Sequence, residues 1–416
     1  MTKLMPFRDF VEINPKVELK RGLEYPFIEM AIVTPGRRYI RTDEKRVYSG
    51  GGSKFSPRDI LFARITPCLE NGKICQFIDE NNQNGFGSTE FFIFRAKPGI
   101  SDPAFVYYLV STETIRKPAE KSMSGASGRQ RADLSSIQDI MIDVYPLPTQ
   151  RKIAAILSAY DDLIENNTRR IKILEEMAQA IYREWFVHFR FPGHEGVRMV
   201  ESELGLIPEG WEVSKIDKVC SRIASGGTPT RNNENYWTPG TITWYKTKEL
   251  QDSFLFDSEE KISNDGLTNS SAKIFPKDSI VIALYASPTL GRLGILTQDS
   301  TFNQAMCGLI ANEKLINNYY LFFSLLNNRA YFQRIALGAA QQNINVTKLR
   351  SMPIIIPNKE LIDEFQKIID TIYLDIKNLL MKNINLRRTR DLLLPKLISG
   401  ELDVSELDIT IPEENT

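Results

Sequence analysis

Between Pro148 and Pro192 the chain has neither proline nor glycine, and its apolar positions recur at a steady step. Ile153, Leu157, Tyr160, Ile164, Asn167, Ile171, Leu174, Ala178, Ile181 and Trp185 alternate four-residue and three-residue spacings. A repeat averaging about 3.5 residues keeps one narrow edge of a helix turned toward a partner helix over many turns, whereas a helix lying on a globular core shows a broader stripe. A second seam of the same kind lies near the C-terminus: Ile362, Phe365, Ile369, Ile372, Ile376, Leu379, Asn383, Leu386, Arg390 and Leu393. Each seam carries one asparagine near its middle, Asn167 and Asn383. An amide in an apolar seam is desolvated without compensation unless the register brings it a partner, so such a residue disfavours wrong pairings. The pattern predicts two long helices that pair with each other; two amphipathic helices in separate cores are the other reading.

Outside these stretches the period shortens. Tyr25 to Ile32, Asp59 to Ile65, Lys73 to Phe77, Glu90 to Ala96 and Ile140 to Tyr145 are rich in β-branched and aromatic residues bounded by Gly, Pro or Asn, which predicts strands. Asp102 to Arg116 reads as a helix opening at an acidic cap with proline just inside, and Thr149 is placed to cap the first long helix. After the linker at Pro192 to Gly196 the same order recurs. Thr241 to Lys246 and Ser279 to Tyr285 read as strands, Asn317 to Gln333 as the counterpart helix, and Ile354 to Pro357 as the closing strand, after which Asn358 can cap the second seam helix. FSPRDILFARI at 55–65 aligns with FPKDSIVIAL at 275–284, and Gly125-Ala126 with Gly338-Ala339. The chain is thus a duplicated unit, a globular domain followed by a long helix. The expected divisions are 1–148, 149–191, 192–357 and 358–416, in an α+β architecture with two pseudo-symmetric domains separated by an antiparallel coiled coil.

Composition narrows the function. The 52 basic residues balance 52 acidic ones, which argues against a tight nonspecific polyanion binder, although Arg37, Arg38, Arg41, Lys45, Arg46, Lys54, Arg58 and Arg64 make the first domain locally basic. Cys68, Cys75, Cys220 and Cys307 form no C-x2-C pair, so zinc and disulfide scaffolding are not expected. With no run of eighteen apolar residues and no leader-like start, a cytoplasmic protein without membrane contact is expected. GGTP at 226–229 lacks the Gly-Lys-Ser/Thr ending of a nucleotide loop. Glu259, Glu260 and Lys261 read as a surface charge run with no apolar strand beside it, a poor basis for a nuclease centre. Trp185, Phe186, Phe189 and Phe191 are either a docking surface or the packing that anchors the second domain to the helices.

LLLPKLISGEL at 392–402, IPEGWEV at 207–213, GGTPTRNNENYW at 226–237, and the segment from Asp161, Asp162, Ile164, Glu165 and Asn167 to Arg183, Glu184, Trp185 and Phe186 resemble the specificity subunits of type I restriction-modification systems. The similarity covers nearly the whole chain, duplication included; the first forty residues match less well, because no GGTP-like loop stands there. The resemblance implies a non-catalytic subunit that reads a bipartite sequence in double-stranded DNA, one target-recognition domain per half-site. Its helices would fix the spacer and dock two methyltransferase (modification) subunits, joined by restriction (translocase) subunits. The methyl donor, ATP and Mg would belong to those partners, with no cofactor in this chain. Consistent with this, no Asn-Pro-Pro-aromatic motif is present.

Reading bases takes long, planar or bifurcated side chains on loops, while phosphates are held by Lys, Arg, Ser and Thr. In the first domain the DNA-binding candidates are Arg64, Thr66, Asn71, Lys73, Ser124, Ser127, Arg129, Gln130 and Arg131. In the second they are Thr228, Thr230, Arg231, Lys246, Lys248, Arg292, Gln341, Gln342, Asn343 and Asn345. The clusters at 124–131 and 338–345 weigh most, because they recur at equivalent points. No catalytic or metal-binding residue is expected. A structural adaptor spacing two protein-binding domains is the competing reading.

Overall fold

The computed structural model describes residues 2–126, 128–285, 288–337 and 344–411. The chain divides into two compact units, Met1–Arg169 with Leu379–Thr416, and Arg170–Asn378. Both long helices, Leu147–Phe186 and Lys359–Ser399, pass from one unit into the other.

In the first unit a five-stranded sheet has the order Val11–Ile13, Phe91–Ala96, Ile60–Ala63, Ile74–Phe77, Tyr39–Ile40, antiparallel except for its last pair. Its middle strand, Ile60–Ala63, is apolar and buried at every position because both faces are covered. Ile60, Phe62, Phe92 and Phe94 face the helices and the opening turns of the first long helix, while Leu61, Phe91 and Ile93 face Phe55, Cys75 and Phe77. A smaller sheet runs Lys45–Val47, Glu24–Ile28, Gly85–Gly87, Ser53–Phe55.

The second unit repeats this plan in its main sheet and in most of the smaller one. Its main sheet runs Cys220–Ser225, Met306–Ala311, Ile280–Ala283, Leu293–Leu296, Ser253–Leu255, again with a parallel last pair. The smaller sheet, Glu260–Ile262, Ile242–Tyr245, Thr301–Phe302, keeps the parallel pair that joins Glu24–Ile28 to Gly85–Gly87 in the first unit. Its fourth strand shrinks to the bridge between Phe275 and Ser300. Each head closes on an antiparallel pair, Lys3–Pro6 with Met141–Val144 and Glu212–Lys215 with Pro353–Ile356.

Three local expectations change. The helix expected over 102–116 is two, Pro103–Ser111 and Glu113–Lys121, and its counterpart is Asn318–Asn327 and Arg329–Leu337. At each break a side chain takes a carbonyl of the preceding turn: Thr112 Oγ1 donates to Leu109 at 2.6 Å and Asn328 Nδ2 to Ser324 at 2.9 Å. The first long helix starts at Leu147, so Thr149 lies inside it, and Pro148 is tolerated because first-turn amides need no helical partner.

The seams are buried largely as their spacing requires. In the second helix every seam position from Ile362 to Asn383 is buried, and Leu386 and Leu393 are half-buried. In the first unit Asn167 Nδ2 donates to Asn383 Oδ1 at 2.9 Å and Asp161 pairs with Arg390, so these helix segments run antiparallel. In the second unit Tyr182, Trp185 and Phe186 surround Phe365, with ring centroids 6.1, 6.1 and 5.0 Å away. The buried stripe widens to take in Gln150, Ala154 and Asp161 in one unit and Tyr182 and Phe186 in the other, because there the helix also covers a head. Phe189 and Phe191 lie against Trp211 at 5.5 and 5.2 Å, and Phe186 against Tyr320 at 4.9 Å, which favours the anchoring reading of this aromatic group.

Candidate nucleic-acid interface

In the first head the candidate residues meet where the central strand Ile60–Ala63 ends. Arg64 N–H donates to the Glu90 carbonyl at 3.0 Å, and the Arg64 carbonyl accepts from Ala132 N–H at 2.7 Å. Thr66 N–H donates to the Gln130 carbonyl at 3.0 Å, and Ser124 and Arg131 exchange backbone hydrogen bonds of 3.1 and 2.9 Å. The loop turns back at Gly125 and Gly128, whose φ of 128° and 81° are open to glycine. Backbone pairing thus brings Arg64, Thr66, Ser124, Gln130 and Arg131 to one sheet end.

A carboxylate that sequence reasoning missed sits at the centre of this cluster. Arg131 grips Glu90 through Nε at 2.9 Å and Nη2 at 2.6 Å, and Arg64 Nε reaches it at 3.4 Å. The Arg131 guanidinium, helped by Arg64, holds the Glu90 carboxyl below its usual range against partial desolvation. Arg129 and Asn71 are exposed, while Ser127 lies outside the described residues. Lys73 is turned elsewhere, its Nζ donating to the Met30 carbonyl at 2.7 Å.

In the second head Leu284 takes the place of Arg64: its N–H donates to Ala305 at 2.8 Å and its carbonyl accepts from Ile344 N–H at 2.9 Å. Gln341, Gln342 and Asn343 lie outside the described residues. Asn345 caps the helix Val346–Ser351, accepting from Lys348 N–H at 2.8 Å, and Arg292 is half-buried beside the strand Leu293–Leu296.

The remaining candidates gather around the GGTP loop. Gly226 and Gly227 donate to the carbonyls of Met306 and Phe302 at 3.0 and 2.9 Å. A Cβ on Gly226 would lie 2.1 Å from the Phe302 carbonyl, so these glycines permit backbone to lie on backbone. Beyond them Thr228 bonds Gln304, Thr230 is exposed, and Arg231 lies 3.9 Å over Trp237 and 4.7 Å over Trp244. Arg231 Nη2 donates to Glu260 at 2.9 Å; Lys246 Nζ lies 3.2 Å from Glu259 and 3.3 Å from Glu260; Lys248 Nζ lies 2.7 Å from Glu259. Lys248 and Arg231 are the leading causes that hold Glu259 and Glu260 below the usual carboxylate range. The expectation of a charge run without an adjacent apolar strand is corrected: Glu260–Ile262 pairs with Ile242–Tyr245, and only Ile262 of its three residues is fully buried, which hid the strand.

A family model described as the type I restriction modification DNA specificity domain matches residues 8–176 and 208–386, each span taking in one head and part of the long helix after it. The chain belongs to this family. As a member of the type I DNA specificity family, it is 26% identical over 405 residues to the HindI specificity subunit of Haemophilus influenzae, covering 83% of this chain and 86% of that one. It is 29% identical over 309 residues to the MjaIX specificity subunit of Methanocaldococcus jannaschii, covering 73% and 70%. The crystal structure of a type I restriction-modification S subunit from M. genitalium shares the fold, with a TM-score of 0.53 at 14% identity over 95% of this chain and 96% of that one. Among the described residues no group of three or more His, Cys, Asp or Glu could hold a metal ion, and no helix is long and apolar enough to cross a membrane.

Proposed function

We propose that this chain is the sequence-reading subunit of a type I restriction-modification complex. Each head reads one half of a split target in double-stranded DNA, and the paired helices set the separation. The observation that carries this reading is the duplicated head, with donor-rich side chains held at one end of its sheets. Guanidinium, ammonium, amide and hydroxyl groups on short, backbone-stitched loops suit base edges and phosphates. In the first head the contacts fall to Arg64, Thr66, Ser124, Arg129, Gln130 and Arg131, and in the second to Thr228, Thr230, Arg231, Lys246 and Lys248. Lys73 and Asn345 have structural work of their own.

Helices of 40 and 41 residues span about 60 Å, on the order of one and a half to two turns of duplex. The chain itself carries out no chemistry; two modification subunits dock on the helices and supply methyl transfer, and restriction subunits supply ATP-driven translocation and cleavage. Inserting one heptad between Ile164 and Leu174, matched by one between Leu379 and Leu386, lengthens the spacer of the preferred target. Unchanged spacing in the assembled complex contradicts the reading. Binding that weakens steeply with salt separates DNA from the protein ligands of an adaptor.

A further inference from the structure

The cations best placed to read DNA are already held by carboxylates in the free chain. Arg64 and Arg131 share Glu90, and Arg231, Lys246 and Lys248 share Glu259 and Glu260. The two heads achieve this with residues that are not equivalent: Glu90 precedes the strand Phe91–Ala96, whereas Glu260 opens a strand of the smaller sheet. We infer that Glu90 and Glu260 are specificity-determining positioning residues. Each fixes the reading arginine of its head, Arg131 or Arg231, and disfavours a DNA phosphate in the place of a base edge.

The geometry supplies both parts of this role. Arg131 spends Nε and Nη2 on Glu90, which leaves the Nη1 donors for a ligand, and its backbone is locked by pairing with Ser124. Glu90 is itself fixed, its carbonyl accepting from Arg64 and its N–H donating to Ser88 Oγ at 3.2 Å. In the second head Arg231 is held over the Trp237 and Trp244 rings and by its Nη2 bond to Glu260. A guanine edge offers neutral acceptors, which the neighbouring carboxylate tolerates. A phosphate brings a negative charge to within about 6 Å of that carboxylate, and at a half-buried site the repulsion weakens binding on the order of ten-fold. The carboxylate therefore lowers affinity for DNA of any sequence more than affinity for the target.

The inference rests on the DNA-reading function, and the test separates the two. Wild-type chain, Glu90→Gln and Glu260→Gln are each assembled with the modification subunits, and N6-methyladenine is mapped in cells carrying each complex. Binding is then measured to a duplex bearing the mapped wild-type target and to a scrambled duplex across a salt series. Each substitution is expected to broaden one half of the methylated motif, a different half for each variant, and to leave the other half intact. Affinity for the scrambled duplex rises several-fold, and the logarithmic salt slope steepens by about one. Glu90→Asp and Glu260→Asp restore discrimination. Unchanged motifs and slopes in both variants overturn the inference, as does parallel loss of target and scrambled binding in variants that melt like wild type. If one variant fails to assemble, the other decides. A wild-type complex that methylates without regard to sequence overturns the DNA-reading function itself, and the inference with it.

Discussion

Replacing Asp161 by asparagine probes how the first head is held to the helices. Asp161 and Arg390 side chains are 3% and 7% exposed, and they bridge the two helix segments of this unit. Arg390 Nη1 also donates to the Gly36 carbonyl at 3.0 Å, and Tyr108 donates to Asp161 Oδ2 at 2.5 Å. Arg38 extends the network to Ser158, Tyr108 and Gln76 at 2.5, 3.3 and 2.9 Å. The amide keeps the shape of the carboxylate but leaves Arg390 as a buried cation, and breaking such a pair costs about 3–5 kcal/mol. Asp391, on Arg390 Nη2 at 2.8 Å but 61% exposed, offsets a little of this, so about 3 kcal/mol is expected. For a unit of about 150–250 residues each kcal/mol moves Tm by about 2–4 °C. The melting transition of the first unit should fall by roughly 6–12 °C in calorimetry while that of the second stays in place. Asp161→Leu with Arg390→Met should recover part of the loss, because a packed apolar pair replaces the buried ion pair at little net cost while Tyr108 still loses its acceptor. A loss below about 1 kcal/mol for Asp161→Asn, or a double variant as unstable as the single, would mean that the buried pair does not hold this unit together.

Two further predictions concern the seam and its pH response. Asn383→Leu strands the Asn167 amide and should cost about 1–3 kcal/mol in denaturant unfolding, whereas Asn167→Leu with Asn383→Leu should be at least as stable as wild type but looser in register, seen as doubled or broadened helix resonances by NMR. Burial raises the Glu175 carboxyl to about 7 from 4.5, with Asp252 and Glu176 adding to the shift and Ser253 opposing it. Below about pH 4.5 the folded and unfolded forms are both protonated; as pH climbs to about 7 only the unfolded form ionises, so stability of the second unit falls across that window and then levels off. After discounting for solvent screening, Glu175→Gln should stabilise that unit by about 1–2 kcal/mol at pH 8 and hardly at all at pH 4.5, as read from chemical denaturation at the two pH values.

The long helices and the duplication were legible because a step sustained over many turns marks a helix edge through residues such as Ile362, Ile369 and Ile376, even though it left open whether the two helices meet. The heads were legible only in part. Strands buried on both faces, like Ile280–Ala283, stand out as apolar runs, but Glu260–Ile262 and Lys45–Val47 carry too few apolar residues to mark themselves. At the candidate interface, donor-rich loops single out Arg131 and Arg231 as candidates, yet nothing in a single sequence ties Glu90 to an arginine 41 residues later. That pairing exists only because Ser124 and Ile65 bring Arg131 to the strand end. Lys73 shows the converse, since its Nζ partner in this structure is a backbone carbonyl that composition cannot reveal.

The most direct test of two reading heads on paired helices is single-molecule mapping of N6-methyladenine in cells carrying the wild-type chain with its modification subunits. The expected result is one motif of two short specified stretches separated by a constant unspecified gap. A single continuous motif, or methylation scattered without regard to sequence, would contradict it.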